Sequence, residues 1–173
     1  GIKKVINATG PYSSLGGAIM WPEVMEAMDY AVQNKAEMED LHSAVGKRIA
    51  ELIGAEAAMV AAGAASAISL ATAGCMSGLN EEILHSLPHS KNIKNEVILQ
   101  TSHQYLYDRA LRVPGAKLVF VETEEELAAA ISPKTAMMFY VRKTHGQINI
   151  HRWIELGKEY NIPTLCDAAT TVP

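Results

Sequence analysis

The sequence predicts an α/β fold, a mainly parallel sheet covered by helices and preceded by an arm and two helices. Three observations predict it. From about Ala57 onward short apolar runs alternate with helical ones, the order of elements in a parallel sheet whose crossovers are helices. The short runs are nearly continuous in apolar residues, as in strands buried on both faces. The chain has 173 residues, 49% of them hydrophobic, which suffices for one compact domain with a sizeable core.

In chain order, the first twenty residues mix a short apolar start with Gly10, Pro11, Gly16 and Gly17 and read as an ordered arm. Pro22 suits the first position of a helix, and Val24, Met25 and Met28 give it a short apolar stripe. Met38 to Ile53 places Leu41, Val45, Ile49, Leu52 and Ile53 on one helical face and ends at Gly54, a residue that helix C-termini favour. The expected strands are AMVAA at 58–62, EVILQ at 96–100, KLVFVE at 117–122, AMMFYV at 136–141 and PTLCDA at 163–168. Helices are expected at Ala64 to Met76, Tyr105 to Leu111, Glu124 to Ile131 and Arg152 to Tyr160. Thr123 with Glu126 has the spacing of a capping box, and the acidic run Glu122 to Glu126 suits the positive end of the helix it opens. Asn80 to Lys94, polar and containing Pro88, reads as the one long loop. The expected division is an N-terminal arm with helices at 1–54 and an α/β domain from 55 to 173.

Charge and composition narrow the function. A net charge of −4 and a pI near 5.9 give no basic excess, so these residues carry no electrostatic footprint of a nucleic-acid binder. Two cysteines, Cys75 and Cys166, cannot form a disulfide framework; both read as buried packing residues of a protein from a reducing compartment. No cationic leader opens the sequence, and the apolar-rich run Ala55 to Met76 is interrupted by Gly63 and Gly74, so a cytoplasmic protein without a membrane span is expected. Six histidines invite a metal reading, but His85 and His89 have Pro88 between them and no carboxylate or thiolate placed to complete a set. The methionines, including Met25, Met28, Met137 and Met138, read as core filling.

In open parallel sheets ligands gather beyond the carboxyl ends of the strands. Three such ends are informative. Gly63, Ala64, Ala65 and Ser66 follow a strand and open a helix, where small side chains let an anion reach free backbone N–H groups. A close-packed strand-to-helix turn uses the same residues. His103, in Thr101-Ser102-His103, could stack on an aromatic ligand or carry a proton near neutral pH, or be a surface or turn histidine. Asp167 ends a strand that should be buried, so its carboxylate needs a positive partner, a strong donor or a helix N-terminus. Taken together, a phosphate cradle, a stacking ring and a carboxylate are what pyridoxal phosphate requires, with the small Ala169 leaving room beside the ring.

The blocks INATGPYSSLGG, DLHSAVGKRIAELIGAEAAMVAAGAASAISLATAG, QTSHQYLYDRAL and NIPTLCDAATTVP resemble the pyridoxal-phosphate family of bacterial selenocysteine synthase (L-seryl-tRNA selenium transferase). The resemblance is nearer its D-glucosaminate-6-phosphate ammonia lyase branch. It extends over essentially the whole chain and is looser between about 80 and 95. It implies the large domain of the aspartate-aminotransferase fold (fold type I), present in part. It also implies that Gly63 to Ser66 hold the cofactor phosphate, that His103 stacks on its ring and that Asp167 pairs with the pyridine nitrogen. Arg142, Lys143 and His145 fall where related enzymes place a group near the cofactor or substrate.

One departure qualifies the resemblance. The lysine that holds the cofactor lies some two dozen residues beyond the aspartate in this family, whereas only Ala168 to Pro173 follow Asp167 and no lysine follows Lys158. The expectation is therefore a fragment, inactive alone, of a longer pyridoxal-phosphate lyase acting on a small amino-acid-like or amino-sugar-acid substrate. The alternatives are a selenium transferase acting on seryl-tRNA and a non-catalytic interaction module. The resemblance further implies a homodimer or larger even assembly, with the arm at Asn7 to Gly17 completing its own or a neighbour's site.

Overall fold

The computed structural model describes residues 1–10, 13–89 and 91–169, so Pro11 of the arm and the last residues of NIPTLCDAATTVP lie outside the described residues. The chain divides into two units, Gly1–Met59 and Val60–Pro173.

The first unit holds a 3-10 turn at Ser13–Leu15 and two helices, α1 (Pro22–Gln33) and α2 (Met38–Ile53). Pro22 stands in the first turn of α1, where its missing N–H has no helical partner to lose. Gly54 ends α2 in the left-handed region, φ 69° and ψ 33°, a conformation that costs a residue with a Cβ. Gly46 is buried because the Ala58 carbonyl lies against it; a Cβ there would come within 2.3 Å of that oxygen. The apolar stripes are exposed, and α1 buries none of its residues. Met25 and Met28 therefore do not fill a core, contrary to the expectation.

The second unit contains α3 (Ala64–Ser77), α4 (Glu81–Ser86), β1 (Glu96–Gln100), α5 (Arg109–Arg112), β2 (Lys117–Val121), α6 (Glu124–Ala130), β3 (Thr135–Val141), α7 (Ile150–Glu159) and β4 (Thr164–Asp167). The four strands form one sheet in the order β2-β1-β3-β4, every pair parallel. Every residue of β3 is buried, as are Val97 to Gln100 of β1; β2 and β4, which flank them, are only partly covered. Side chains alternate between the faces. On one face Val97, Leu99, Met137, Phe139 and Val141 pack with Ile68 and Met76 of α3 and with Ala110 and Leu111 of α5. On the other, Ile98, Met138 and Tyr140 pack with Leu127 of α6 and with Trp153 and Leu156 of α7.

This distribution follows from chain direction. From β1 the chain moves outward to β2 through α5 on the first face. It then returns past β1 to β3 and continues to β4 through α6 and α7 on the second, because a right-handed crossover that reverses its direction must change faces. Chains leaving β1 and β3 thus part to opposite faces and open a crevice at their carboxyl ends, the topological switch point of the sheet.

Four of the five expected strands form, and 58–62 does not; it is irregular, with Met59 61% and Val60 46% exposed. Its composition suits a strand, but a strand exists only where a neighbour takes up its backbone N–H and C=O groups, and no ladder includes it. The expected loop Asn80–Lys94 contains α4, whose first turn is capped by Asn80 Oδ1 accepting from Ile83 N at 3.1 Å. The helix expected from Tyr105 is a 3-10 turn at Leu106–Asp108 followed by the single turn α5. Thr123 Oγ1 accepts from Glu126 N, as a capping box requires, while Glu126 reaches back to the N–H of Glu122 rather than of Thr123. Cys75 is half-buried and Cys166 exposed, not buried as expected; Cys166 points away from the packed face of the flanking strand β4.

Leu99 has no exposed surface and lies at the centre of the first face. Leu99→Ala is expected to cost about 2–5 kcal/mol and Leu99→Met less than about 1.5 kcal/mol in urea unfolding, since only the former leaves a cavity. Equal losses would contradict this packing.

Candidate functional site

The crevice is built from the segments that leave β1, β3 and β4. Gln100, the last residue of β1, is 1% exposed, and its amide is satisfied on both sides by one residue: Oε1 accepts from Ile148 N at 2.8 Å and Nε2 donates to Ile148 O at 2.9 Å. This clasp holds down the loop 142–149 that follows β3. Gly146 is required beside it, because a Cβ there would come within 2.3 Å of the Gln100 Oε1. Past the clasp, Gln100, Thr101, Ser102, Glu122, His145 and Gly146 line a cavity of about 480 Å³. Of the three residues left open by the sequence, His145 borders this cavity, and Arg142 donates its backbone N–H to Asp167 O at 2.9 Å.

Asp167 ends β4, one face-repeat beyond Leu165, which packs on the α3 and α5 side; its carboxylate therefore belongs to that face. Its Oδ1 accepts from Ala169 N at 3.0 Å and its Oδ2 from the Tyr105 hydroxyl at 2.5 Å. Among the described residues no Lys, Arg or His forms an ion pair with it. Both donors are neutral, so a half-buried negative charge stands at a strand end without a cation. Among the described residues these are its two donors, fewer than the about four hydrogen bonds a carboxylate can accept.

On the same face, Gly63 precedes α3 with φ 113° and ψ 171°, a conformation open in practice to glycine alone, and Ala64 is the first helical residue. Gly63, the N-cap, has no side chain with which to cap the first N–H groups of the helix. Ser69 Oγ, one turn in, donates to Ala110 O at 2.8 Å and ties α3 to the segment leaving β1. Ala65, Ser66, Ser69, Tyr107 and Arg109 line a cavity of about 430 Å³ there. The small residues at 63–66 thus open a helix whose positive end faces an accessible space.

His103 follows β1 in the 3-10 turn Thr101–His103. It is fully buried, edge-on to Tyr140 with ring centroids 4.3 Å apart, and its Nδ1 accepts from Val141 N at 3.3 Å. Tyr140 faces α7, so the imidazole lies on the face opposite the Asp167 carboxylate. His103 closes its 3-10 turn, as a turn histidine does, but its ring is buried rather than on the surface. Its Nε2 has no hydrogen-bond partner among the described residues. Burial pushes its pKa below the ordinary histidine range, and the Thr144 backbone offsets this only in part. The aromatic ring beside Asp167 is Tyr105, half-buried, with its ring 6.4 Å from Phe139 and nearly parallel to it. Sequence reasoning passed over Tyr105; its signal was an aromatic two residues beyond His103, on the way out of a buried strand. Among the described residues no three of His, Cys, Asp and Glu gather as a metal would need.

The backbone carries a comparison with known structures. Over 85% of its length the chain superposes on 42% of the aspartate aminotransferase of Thermotoga maritima, at 17% identity and a TM-score of 0.55. The fold is that of the aspartate aminotransferases. A nearer likeness is to the solved structure of D-glucosaminate-6-phosphate ammonia-lyase, with a TM-score of 0.91 and 28% identity over 96% of this chain and 49% of that one. In sequence the chain is 30% identical over 182 aligned positions to D-glucosaminate-6-phosphate ammonia lyase of Salmonella typhimurium, covering 98% of this chain and 49% of the relative. It is 29% identical to 5'-C-glycyluridine monooxygenase-decarboxylase of a Streptomyces species, covering 46% of that protein. The chain spans about half the length of the curated relatives it matches. No family model matches it.

Two outcomes follow from the geometry. Gly146→Ala forces the Gln100 amide aside and is expected to lower stability by about 1–3 kcal/mol in thermal unfolding, with part of the loss recovered in a Gln100→Ala background. The depressed pKa of His103 favours the folded state fully above the ordinary histidine value of 6.5. That contribution is lost as pH falls through the folded-state value, because the unfolded chain binds the proton first. His103→Gln should therefore flatten the fall in stability below pH 6.5; an unchanged slope would show that another group causes it.

Proposed function

We propose that the polypeptide carrying this chain is a pyridoxal-phosphate-dependent lyase that eliminates a β-substituent, with deamination, from an amino-acid-like or amino-sugar-acid substrate. The observation that carries this reading is the Asp167 carboxylate. It is half-buried at a strand end, held by two neutral donors, without a cation among the described residues, and on the same face as the uncapped N-terminus of α3. A negative charge and a positive helix end on one face suit a ligand with a protonated ring nitrogen at one end and a phosphate at the other. The names of the two sequence relatives, an ammonia lyase and a decarboxylating monooxygenase, both denote enzymes, and the former supports the lyase class.

When bound, pyridoxal phosphate supplies an electron sink for a carbanion beside nitrogen. In this reading the N–H groups at Gly63, Ala64, Ala65 and Ser66 hold its phosphate, with the Ser66 hydroxyl as a further donor. Asp167 keeps the ring nitrogen protonated, which strengthens the sink without touching substrate. Ala169, small and exposed, leaves space beside the ring. His103, whose Nδ1 accepts from Val141 N, is the residue that the resemblance assigns to stacking on the ring. The anchoring lysine, which is also the expected base, comes from the remainder of the polypeptide. The protein is read as cytoplasmic and as a homodimer or larger even assembly; among the described residues no helix is long and apolar enough to cross a membrane.

Purified intact protein is expected to take up pyridoxal phosphate, show the absorbance of a lysine-bound cofactor and yield a borohydride-trapped lysine. It should release ammonia and a keto acid from an amino-sugar acid and leave seryl-tRNA unchanged. Asp167→Asn should weaken cofactor binding about tenfold to hundredfold, the worth of a hydrogen bond to a charged group. Turnover of seryl-tRNA alone would replace the lyase with a selenium transferase, and absence of any trapped lysine would remove the enzyme reading.

A further inference from the structure

Asp167 can hold a ring nitrogen only if its carboxylate is fixed in plane and orientation, and side-chain carboxylates at strand ends rotate freely unless held. One oxygen is held locally by Ala169 N, two residues on. The other is held from 62 positions away in sequence by Tyr105. Tyr105 is itself restrained, with Phe139 nearly parallel to its ring at 6.4 Å and Tyr107 against it at 5.8 Å and 63°. Tyr105 and Asp167 share one face of the sheet, and the hydroxyl bridges the segment leaving β1 to the end of β4 across β3.

We propose that Tyr105 is a positioning residue for the cofactor. Its hydroxyl clamps Asp167 Oδ2 while Ala169 N clamps Oδ1, so that the remaining lone pairs of the carboxylate point to where the ring nitrogen binds. This rests on the cofactor reading above and deepens it. Burial first, then the hydrogen bond and charge of Asp167, push the Tyr105 phenol far above its ordinary range. It therefore stays protonated and acts as a donor at every working pH, and general-base chemistry is closed to it. The hydroxyl and the Ala169 N–H each occupy one acceptor position, and a carboxylate has capacity for a third hydrogen bond.

The test is a mutant cycle in the intact protein, with pyridoxal phosphate titrated by absorbance into wild type, Tyr105→Phe, Asp167→Asn and the double variant. Tyr105→Phe is expected to weaken cofactor binding about tenfold, with the double variant no weaker than Asp167→Asn alone, because the hydroxyl acts only through the carboxylate. Equal or tighter binding by Tyr105→Phe, or losses that multiply in the double variant, would overturn the clamp and leave the cofactor reading standing. A wild-type protein that takes up no cofactor would overturn both. If Tyr105→Phe does not fold, NMR of ζ-carbon-labelled tyrosine in Asp167→Asn decides. The ζ-carbon resonance of one tyrosine should move relative to wild type as its hydroxyl loses the carboxylate acceptor, and unchanged resonances of every tyrosine overturn the proposal.

Discussion

Parallel pairing of β1 with β3 obliges both faces of the sheet to be dry, and this two-sided burial governs where every other element of the second unit can go. Val97 to Leu99 and Met137 to Phe139 have no exposed surface, so helices must cover both sides. The outward step to β2 and the return to β3 deliver α5 to one face and α6 and α7 to the other. Removal of that constraint would remove the reason for the chain to part at the carboxyl ends of β1 and β3. The crevice is thus a consequence of packing, and the polar groups within it are held by packing too. The Gln100 amide is fixed by Ile148, His103 by Val141, and Asp167 by Tyr105 and Ala169.

Electrostatics then distinguish the two faces. On the α7 side Tyr140 packs with Trp153, and His103 lies edge-on to Tyr140, its pKa pushed down by burial. On the α3 side a carboxylate stands, among the described residues, with neutral donors, and the helix α3 begins at a glycine that supplies no side-chain cap. A buried or half-buried carboxylate without a cation costs stability. Its retention at a strand end is easiest to understand if a positively charged ring nitrogen completes it. The surface ion pairs of Arg152 with Glu124, Glu155 and Glu159 are far simpler in meaning: they join α6 to α7 and brace α7, on a solvent-facing side.

The apolar runs at 96–100 and 136–141 were legible as strands because burial on both faces leaves no polar alternation to confuse the reading, and those at 117–122 and 163–168 by their apolar content although the flanking strands are only partly covered. Helix limits were legible where local chemistry sets them, as at Pro22, Gly54 and Thr123. AMVAA at 58–62 shows the boundary of that approach. Its residues suit a strand, but pairing is supplied by a neighbour and not by the segment itself. The site divides in the same way. Gly63 and Asp167 lie where the sequence expects them, at a helix start and a strand end. The choice between His103 and Tyr105 was not legible, because a 3-10 turn at Thr101–His103 sends His103 to one face and Tyr105 to the other.

The central claim is that the α3 side of the crevice binds one ligand between a helix N-terminus and the Asp167 carboxylate. A crystal structure of the intact protein grown with pyridoxal phosphate tests it most directly. The account predicts the phosphate on the N–H groups at Gly63 to Ser66 and the ring nitrogen within hydrogen-bonding distance of Asp167. A cofactor bound on the His103 side, or with its phosphate away from the start of α3, would contradict it.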